Sequence, residues 1–408
     1  MHLCNFCKQP LEYIFANLGH QPPSNSFLTK DALLLPEVHY PLIVYICKSC
    51  WLVQVPETKM ARDIFSEKYP YFSSESPSNV AHAKEYVEMI VERFDFNYNA
   101  RVLEIGSNDG YMLQWFKKHG IKPLGIDPCF SACQIASKNY AIETDNKFWS
   151  TKEAKRRKPF DLICGINVLA HQPDINDFVE GLRIALAPDG IITMEFPWLV
   201  KTIDGVQFDQ IYHEHFSYFS FATICAIFQK HKLEIFDVDE LPEHGGSLRI
   251  YARHKGNLSL GRDNWVRYDQ ILLKEKGMNT LNYYSGFQSK INEIKVNLME
   301  FLYDVKYAEG ATVVAYGAAA KANTFMNYCG IKPDLIDCIV DRSPHKQGLY
   351  CPGSHIPVVA EEDGIMKMKP DYVLITAWNL KNEIMEQLKY IREWGGKFVI
   401  AVPKLEII

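Results

Sequence analysis

Arg101-Val102-Leu103-Glu104-Ile105-Gly106-Ser107-Asn108-Asp109-Gly110 is the stretch that decides the fold of this chain. Val102 to Ile105 reads as a short buried strand. Gly106 opens a turn, and Tyr111 to His119 reads as a helix with Met112, Leu113 and Phe116 on one face. A strand, a glycine turn and a helix make a nucleotide-binding corner: the glycines let a ligand approach the backbone, and the helix start offers free N–H groups. The G-x-G-x-x-G fingerprint of a dinucleotide site is missing, because only Gly106 and Gly110 remain and acids flank them at Glu104 and Asp109. An acidic loop suits a ligand with a positive centre and no pyrophosphate. S-adenosylmethionine, with a sulfonium, an ammonium and two ribose hydroxyls, fits that description. About twenty residues on, Leu124-Gly125-Ile126-Asp127 reads as a second strand ending in an acid, where a doubly wound fold sets a carboxylate against ribose hydroxyls. Any α/β domain with a glycine turn shares this corner, so the rest of the chain has to discriminate.

The chain has 408 residues, a length for two or three domains. Hydrophobic residues at 47% and charged residues at 23% are ordinary for a folded chain, and a net charge of -5 gives no reason to expect a nucleic-acid partner. No apolar run reaches a membrane span, and the N-terminus lacks a charged leader with an apolar core, so a cytoplasmic location is expected. Of eleven cysteines, Cys129, Cys133, Cys164, Cys225, Cys329 and Cys338 lie in helical or strand patterns and read as buried thiols; Cys351, in a turn, has no assignment. The other four form Cys4-Asn5-Phe6-Cys7 and Cys47-Lys48-Ser49-Cys50. Each C-x-x-C knuckle presents two thiolates to one tetrahedral ion, and four sulfurs close a structural zinc site with no open position for catalysis. Residues 8–46 are too many for a compact ribbon and imply an inserted loop or hairpin. Tyr40 to Tyr45 and Leu52 to Val55 read as strands around the second knuckle.

Tyr69-Pro70-Tyr71-Phe72-Ser73-Ser74-Glu75-Ser76 precedes an apolar helix from about Val80 to Phe94 and reads either as a capped linker or as a substrate wall. Phe160 to Gly165 is a central strand with Asn167 and His171 just past its end, where open α/β sheets bind ligands. Ala141-Ile142 leads to Thr144-Asp145, within reach of an adenine. A turn at Leu186 to Gly190 enters the strand Ile191 to Phe196, which makes five strands in the methyltransferase order. Phe208-Asp209-Gln210-Ile211-Tyr212-His213-Glu214-His215-Phe216-Ser217-Tyr218-Phe219-Ser220 crowds histidines, acids and tyrosines into one loop. It is not H-E-x-x-H, since His213 and His215 are two apart. A general acid–base site suits it better than a metal, because histidine titrates near neutrality and a carboxylate or phenol can tune it.

Glu243-His244-Gly245-Gly246-Ser247-Leu248-Arg249 is a glycine turn entering the strand Leu248 to Ala252. Residues 256–308 are helical, with Phe287, Ile291, Ile294, Leu298, Leu302 and Val305 on one apolar stripe. Thr312 to Tyr316, Gly317 and a helix opening at Ala318 to Thr324 repeat the α/β theme; Leu335 to Asp341, Tyr372 to Thr376 and Phe398 to Val402 are further strands. Small residues and Lys321 at a helix start suit a phosphate, without the Walker pattern. Ala377-Trp378-Asn379 offers a surface for stacking a sugar or base.

In this order the parts resemble, over nearly the whole chain, the S-adenosylmethionine-dependent C-methyltransferases of deoxysugar biosynthesis, closest to the sugar 3-C-methyltransferases that act on nucleotide-linked 3-amino-4-keto hexoses. The resemblance rests on the two C-x-x-C pairs, Tyr69-Pro70-Tyr71, the Glu104–Gly110 loop, the Phe208–Ser220 loop, His244-Gly245-Gly246, Tyr316-Gly317-Ala318 with Lys321, and Ala377-Trp378-Asn379. It implies an α/β chain with an N-terminal zinc-binding domain (1–75), a central class I Rossmann-like methyltransferase domain (76–250), and a helical segment with a second Rossmann-like domain (251–408). It implies His215 as the base beside a ketone, Tyr212 and Glu214 as its supports, His171 near cofactor and sugar, and Tyr71, with Tyr69 as the alternative, against the sugar. His213 departs from the family, which favours an acid there.

The resulting expectations are as follows. Glu104, Gly106, Asn108, Gly110, Asp127, Asp145 and Asn167 hold the cofactor. Tyr69, His244, Gly246, Tyr316, Lys321, Asn323, Trp378 and Asn379 hold the nucleotide-diphosphate sugar, dTDP-linked or other. Cys4, Cys7, Cys47 and Cys50 hold zinc. A monomer with no membrane or nucleic-acid partner is expected. The chemistry agrees: a ketone acidifies the adjacent C–H, a histidine removes the proton, a phenol or imidazole stabilises the enolate oxygen, and alignment with the sulfonium does the rest. The rival readings are an O-methyltransferase for a sugar or small metabolite, and a non-catalytic binding protein.

Overall fold

The computed structural model describes residues 2–65, 71–257 and 265–408. The N-terminal strands β1 (Tyr13–Gln21), β2 (Tyr40–Ile46) and β3 (Val53–Gln54) pair antiparallel in that order. On β2 the period of two buries Leu42, Val44 and Ile46 and leaves their neighbours half-covered, as a one-sided sheet requires. The insertion between the knuckles is thus β1, a long connection, and β2.

The central sheet contains β4 (Val102–Ile105), β5 (Leu124–Asp127), β6 (Glu143–Asn146), β7 (Phe160–Ile166) and β8 (Leu186–Pro197), all parallel. Every residue of β4 is buried, the mark of a strand covered on both faces. The short strand β9 (Ser217–Tyr218) leaves this sheet and pairs with β3. Strands β10 (Leu233–Leu241) and β11 (Ser247–His254) complete the order β10-β11-β8-β7-β4-β5-β6. The five expected strands are thus joined by β11, expected as the strand Leu248 to Ala252, and by β10, which was not expected. The missed strand β10, Leu-Glu-Ile-Phe-Asp-Val-Asp-Glu-Leu, carries acids that mask its pattern, and β11 slots antiparallel between it and β8. The direction of strand addition reverses at β4, so its carboxyl end is the switch point where such sheets bind ligands.

The stretch expected to be helical breaks into Trp265–Lys274, Leu281–Tyr284 and Phe287–Tyr303; residues 258–264 lie outside the described residues. The predicted stripe from Phe287 to Val305 is buried, and Phe15 of β1 stacks on Phe287 at 4.5 Å. The last sheet runs β14 (Val358–Val359), β13 (Cys338–Val340), β12 (Val313–Tyr316), β15 (Tyr372–Ile375), β16 (Lys397–Ile400) and β17 (Glu406–Ile407), parallel except for β17. Alternation along β12 matters for the site. Val313 and Ala315 join the core shared with the rest of the chain, whereas Val314 and Tyr316 face a separate cluster with Ile365, Ile384 and Leu388. Among the described residues no helix is long and apolar enough to cross a membrane.

Candidate active site

The two knuckles repeat one local geometry. Lys8 N–H donates to the Cys4 carbonyl at 3.0 Å and Trp51 N–H to the Cys47 carbonyl at 2.7 Å, with φ of 62° at both Lys8 and Trp51. This curls each C-x-x-C so that the ligand atoms of Cys4, Cys7, Cys47 and Cys50 all lie within 4.8 Å of one another. Four soft thiolates at such spacing fit a closed zinc site. Gln54 donates to Cys4 Sγ at 3.2 Å and accepts Asn5 N–H at 2.7 Å, orienting the sulfur from β3. The same strand pairs Val53 with Tyr218 and Gln54 with Ser217. The zinc module is therefore a wall of the histidine-rich loop as well as a staple.

At the switch point, Gly106 has φ +72°, and a Cβ there would sit 3.0 Å from Val168 Cγ2, so the turn admits only glycine without displacement. Glu104 is buried, and neither carboxylate oxygen has a partner among the described residues. Burial, aided by the charges of Asp127 and Asp109, pushes its carboxyl well above the usual range. An acid in this state favours a cation, which S-adenosylmethionine supplies. Asp127 accepts the N–H groups of Asn108 and Cys129 at 2.9 and 2.8 Å, and burial holds it up to about 6. Asn167, with φ 56°, has a buried Oδ1 without a partner among the described residues, beside β8.

Two expected cofactor ligands are committed elsewhere. Asn108 accepts Ser73 N–H at 2.8 Å and donates to the Tyr71 carbonyl at 3.1 Å, so its side chain latches the aromatic segment onto the loop. Asp145 pairs with Arg157. Asp127→Ala is expected to weaken S-adenosylmethionine binding by about 1–3 kcal/mol, the scale of hydrogen bonds to a charged acceptor. In the native protein, calorimetry should show affinity rising as pH increases through about 6, with protons released on binding, because the ligand favours the ionised acid.

The loop 212–218 gathers the titratable groups. His215 Nδ1 donates to the Gln210 carbonyl at 2.9 Å, which fixes the tautomer; Nε2 then accepts the Tyr212 hydroxyl at 2.8 Å. The His171 ring lies 4.8 Å away, centroid to centroid, and its Nδ1 donates to the Glu214 carbonyl at 2.8 Å. Burial lowers His171 to about 4. Burial together with His171 and His244 holds His215 well below its ordinary value, so both rings are neutral at neutral pH. The Tyr212 phenol is pushed well above its usual range by burial and by Glu214, Tyr218, Tyr71 and Asp209 around it. Glu214 supports the site differently from expectation: its carbonyl holds His171, and its carboxylate accepts both contacts of Asn25 Nδ2 at 2.9 Å. His213 faces the zinc module, donating to the Tyr40 carbonyl at 3.3 Å, with burial lowering it to about 4; it adds no charge beside His215. Tyr71 is 43% exposed and its hydroxyl accepts Asn79 Nδ2 at 3.1 Å, while Tyr69 lies outside the described residues.

The C-terminal domain meets this loop directly. Trp378 Nε1 donates to Asp209 at 2.7 Å, and Lys321 lies over the Trp378 ring at 5.2 Å and contacts Asn379. A Cβ on Gly245 would stand 2.4 Å from Trp378 Cη2, so the glycine turn exists to admit this indole; one on Gly246 would meet Lys201. Burial raises Asp209 to about 6 and lowers Lys321, each moderated by the other's charge. Asn323 is fully buried and donates to the Ser24 carbonyl at 2.7 Å, leaving Oδ1 without a partner among the described residues. His244, lowered to about 4 by burial, adjoins Lys321. Tyr316 is not in this group: it lies on the far face of its sheet, where its hydroxyl accepts Gln387 at 2.8 Å. Sequence reasoning passed over Asn25, Asp209 and His82. Asp209 sat inside the quoted loop, but nothing local distinguished the other two.

A doubly wound sheet with an acidic glycine loop, beside a neutral histidine–tyrosine pair, defines a methyltransferase. Comparisons with known proteins agree. Residues 80–238 match a methyltransferase domain model, 242–403 the C-methyltransferase C-terminal domain, and 4–65 a zinc binding domain. The chain is 31% identical to the C-methyltransferase NovU of Streptomyces niveus across 99% of this chain and 96% of that one. A ubiquinone biosynthesis O-methyltransferase of Rhodopseudomonas palustris is 26% identical over 97 residues, 23% of this chain and 38% of that protein. Magnesium protoporphyrin IX methyltransferase of Synechocystis, solved with S-adenosylmethionine, aligns with TM-score 0.34 at 14% identity over 43% of this chain and 79% of that one. The chain belongs to the zinc-containing C-methyltransferase family that includes NovU.

Proposed function

We propose that this enzyme methylates a carbon beside the ketone of a nucleotide-diphosphate-linked deoxysugar in the cytoplasm, C-3 of a 4-keto hexose, through an enolate. One observation carries the mechanism: His215 Nδ1 is bound to the Gln210 carbonyl at 2.9 Å and its Nε2 faces the Tyr212 oxygen at 2.8 Å, in a buried setting that favours the neutral ring. When the ketone enters, the Tyr212 hydroxyl turns to its oxygen and frees Nε2 to face the adjacent C–H. The proton passes from carbon to Nε2, and the Tyr212 hydrogen bond stabilises the negative oxygen. His171, with Nδ1 on the Glu214 carbonyl at 2.8 Å and its ring 4.8 Å from that of His215, is the second neutral imidazole beside the base. S-adenosylmethionine would supply the electrophilic methyl group, and Glu104 and Asp127 at the carboxyl ends of β4 and β5 would hold and orient it beside the nucleophilic carbon. The Nε2 proton then returns to solvent.

Lys321, Trp378, Asn379 and His244 support placement of the nucleotide diphosphate at the edge of the C-terminal domain, one hydrogen bond from Asp209 in the loop. Lys321→Ala is expected to raise KM for the sugar nucleotide about tenfold or more, the scale of one charged hydrogen bond, with cofactor affinity unchanged. The substrate class is tested by mass spectrometry after incubation with labelled S-adenosylmethionine and a panel of nucleotide-linked 4-keto sugars. Label that is carbon-bound and stable to hydrolysis is expected. Label on oxygen, or no transfer to any 4-keto sugar while another acceptor is methylated, overturns the reading.

A further inference from the structure

His82 stands on the helix Pro77–Arg93, outside the groups used above. Its Nε2 lies 2.7 Å from Glu195 Oε2 at the carboxyl end of β8. Its Nδ1 lies 3.1 Å from Glu243 Oε1 in the turn between β10 and β11. A neutral imidazole has one N–H and would set a lone pair against one of these carboxylates; only the doubly protonated ring suits both. The surrounding charges agree. Glu195 is 3% exposed and also accepts Arg249 Nε of β11 at 2.6 Å; Arg249 in turn faces Asp239 of β10 at 3.9 Å. The second Glu243 oxygen is buried without a partner among the described residues. His244 beyond it is neutral, and Lys321 faces His244 from the C-terminal domain. Burial opposes a charge on His82, and the two carboxylates outweigh it and raise the ring above its ordinary value.

The position of Glu243 is passed on to the base. Its carbonyl accepts Gly246 N–H at 2.9 Å and Ser247 Oγ–H at 3.0 Å, closing a turn with φ of 55°, 86° and 118° at His244, Gly245 and Gly246. The carbonyls of Gly245 and His244 accept Gln207 Nε2 and Gln210 Nε2, both at 2.9 Å. The Gln210 carbonyl is the acceptor that fixes His215 Nδ1.

We propose that His82 is a positioning residue, an imidazolium that clamps the glycine turn to β8 and thereby holds the catalytic loop in register. This rests on His215 being the base. The sign follows from the direction of the shift. The clamp is intact below the raised pKa of His82 and is lost as pH rises through it, so His82 sets the alkaline limb, while His215 and His171 set the acid limb.

The experiment has two arms. In the first, spectra of ¹⁵N-histidine-labelled enzyme, with His82 assigned against His82→Gln, are recorded near pH 7. Two protonated nitrogens on His82 are expected; a neutral ring overturns the proposal whatever the variant does. In the second, deuterium exchange beside the ketone of a dTDP-linked 4-keto-6-deoxyhexose is followed against pH. His82→Gln is expected to slow exchange on the order of 10-fold to 10²-fold, the scale of a small misplacement of a catalytic group, without changing KM for S-adenosylmethionine. The alkaline fall of the native enzyme should disappear. An unchanged alkaline limb overturns the proposal. Normal exchange by His215→Gln instead overturns the assignment of the base and leaves the His82 spectrum standing, so the two failures are distinguishable.

Discussion

His215→Gln is expected to lose methyl transfer by about 10²–10⁴-fold, the usual contribution of a positioned general base, with S-adenosylmethionine binding intact. The decisive measurement is deuterium exchange at the carbon beside the ketone, followed by NMR in heavy water without cofactor. Exchange should fall by the same factor. In the native enzyme, exchange should not fall as pH is lowered through the range where an ordinary imidazole protonates. Burial and the neighbouring His171 and His244 keep His215 well below its ordinary value, so the basic form outlasts that of a free imidazole. Tyr212→Phe and Glu214→Gln are expected to weaken both reactions less, because neither removes the Nε2 lone pair. A variant lacking His215 that exchanges at the native rate but cannot methylate would move the base to His171 or a tyrosine.

Loss of the zinc site should cost both fold and activity. Metal analysis is expected to give about one zinc per chain, as a single four-thiolate site requires. Structural zinc binds with about 10–16 kcal/mol in isolated fingers, so Cys4→Ser or Cys47→Ser should unfold the N-terminal sheet rather than soften it. The consequence for catalysis is specific. Strand β3 begins just past the second knuckle and pairs with Ser217 and Tyr218, Val55 N–H donates to the Phe216 carbonyl at 3.1 Å, and Asn25 in the insertion holds Glu214. Chelation should therefore lower the melting temperature and abolish exchange together. A metal-free double variant that stays folded and exchanges normally would refute this role.

The strand–glycine–helix corner was legible because its determinants are contiguous. Glu104, Gly106 and Gly110 lie within seven residues, and Asp127 follows one strand later, so periodicity and turn chemistry place them without distant contacts. The zinc ligands were legible for the same reason, each knuckle being a four-residue unit. The histidine–tyrosine loop declared itself by composition, and its neutral histidines do not: that state comes from burial beneath the zinc module and beside His171.

Chain neighbours could not reveal which way a side chain turns. Asn108 and Asp145 were expected as cofactor ligands, and their side chains meet Tyr71, Ser73 and Arg157. Tyr316 precedes the same glycine as Lys321's helix, but strand alternation sends it to the opposite face. Glu214 was expected to support His215, and its carboxylate accepts Asn25, far away in the chain. What the amino-acid order determined alone is the set of local units: two metal knuckles, two strand–glycine–helix corners and one titratable loop. Only the tertiary structure decided how they meet, with β9 joining the zinc sheet, Trp378 filling the space over Gly245, and His82 lying between two carboxylates. The physical reason is that local geometry follows from backbone preference over a few residues, whereas protonation state and orientation depend on burial and on charges brought from distant parts of the chain.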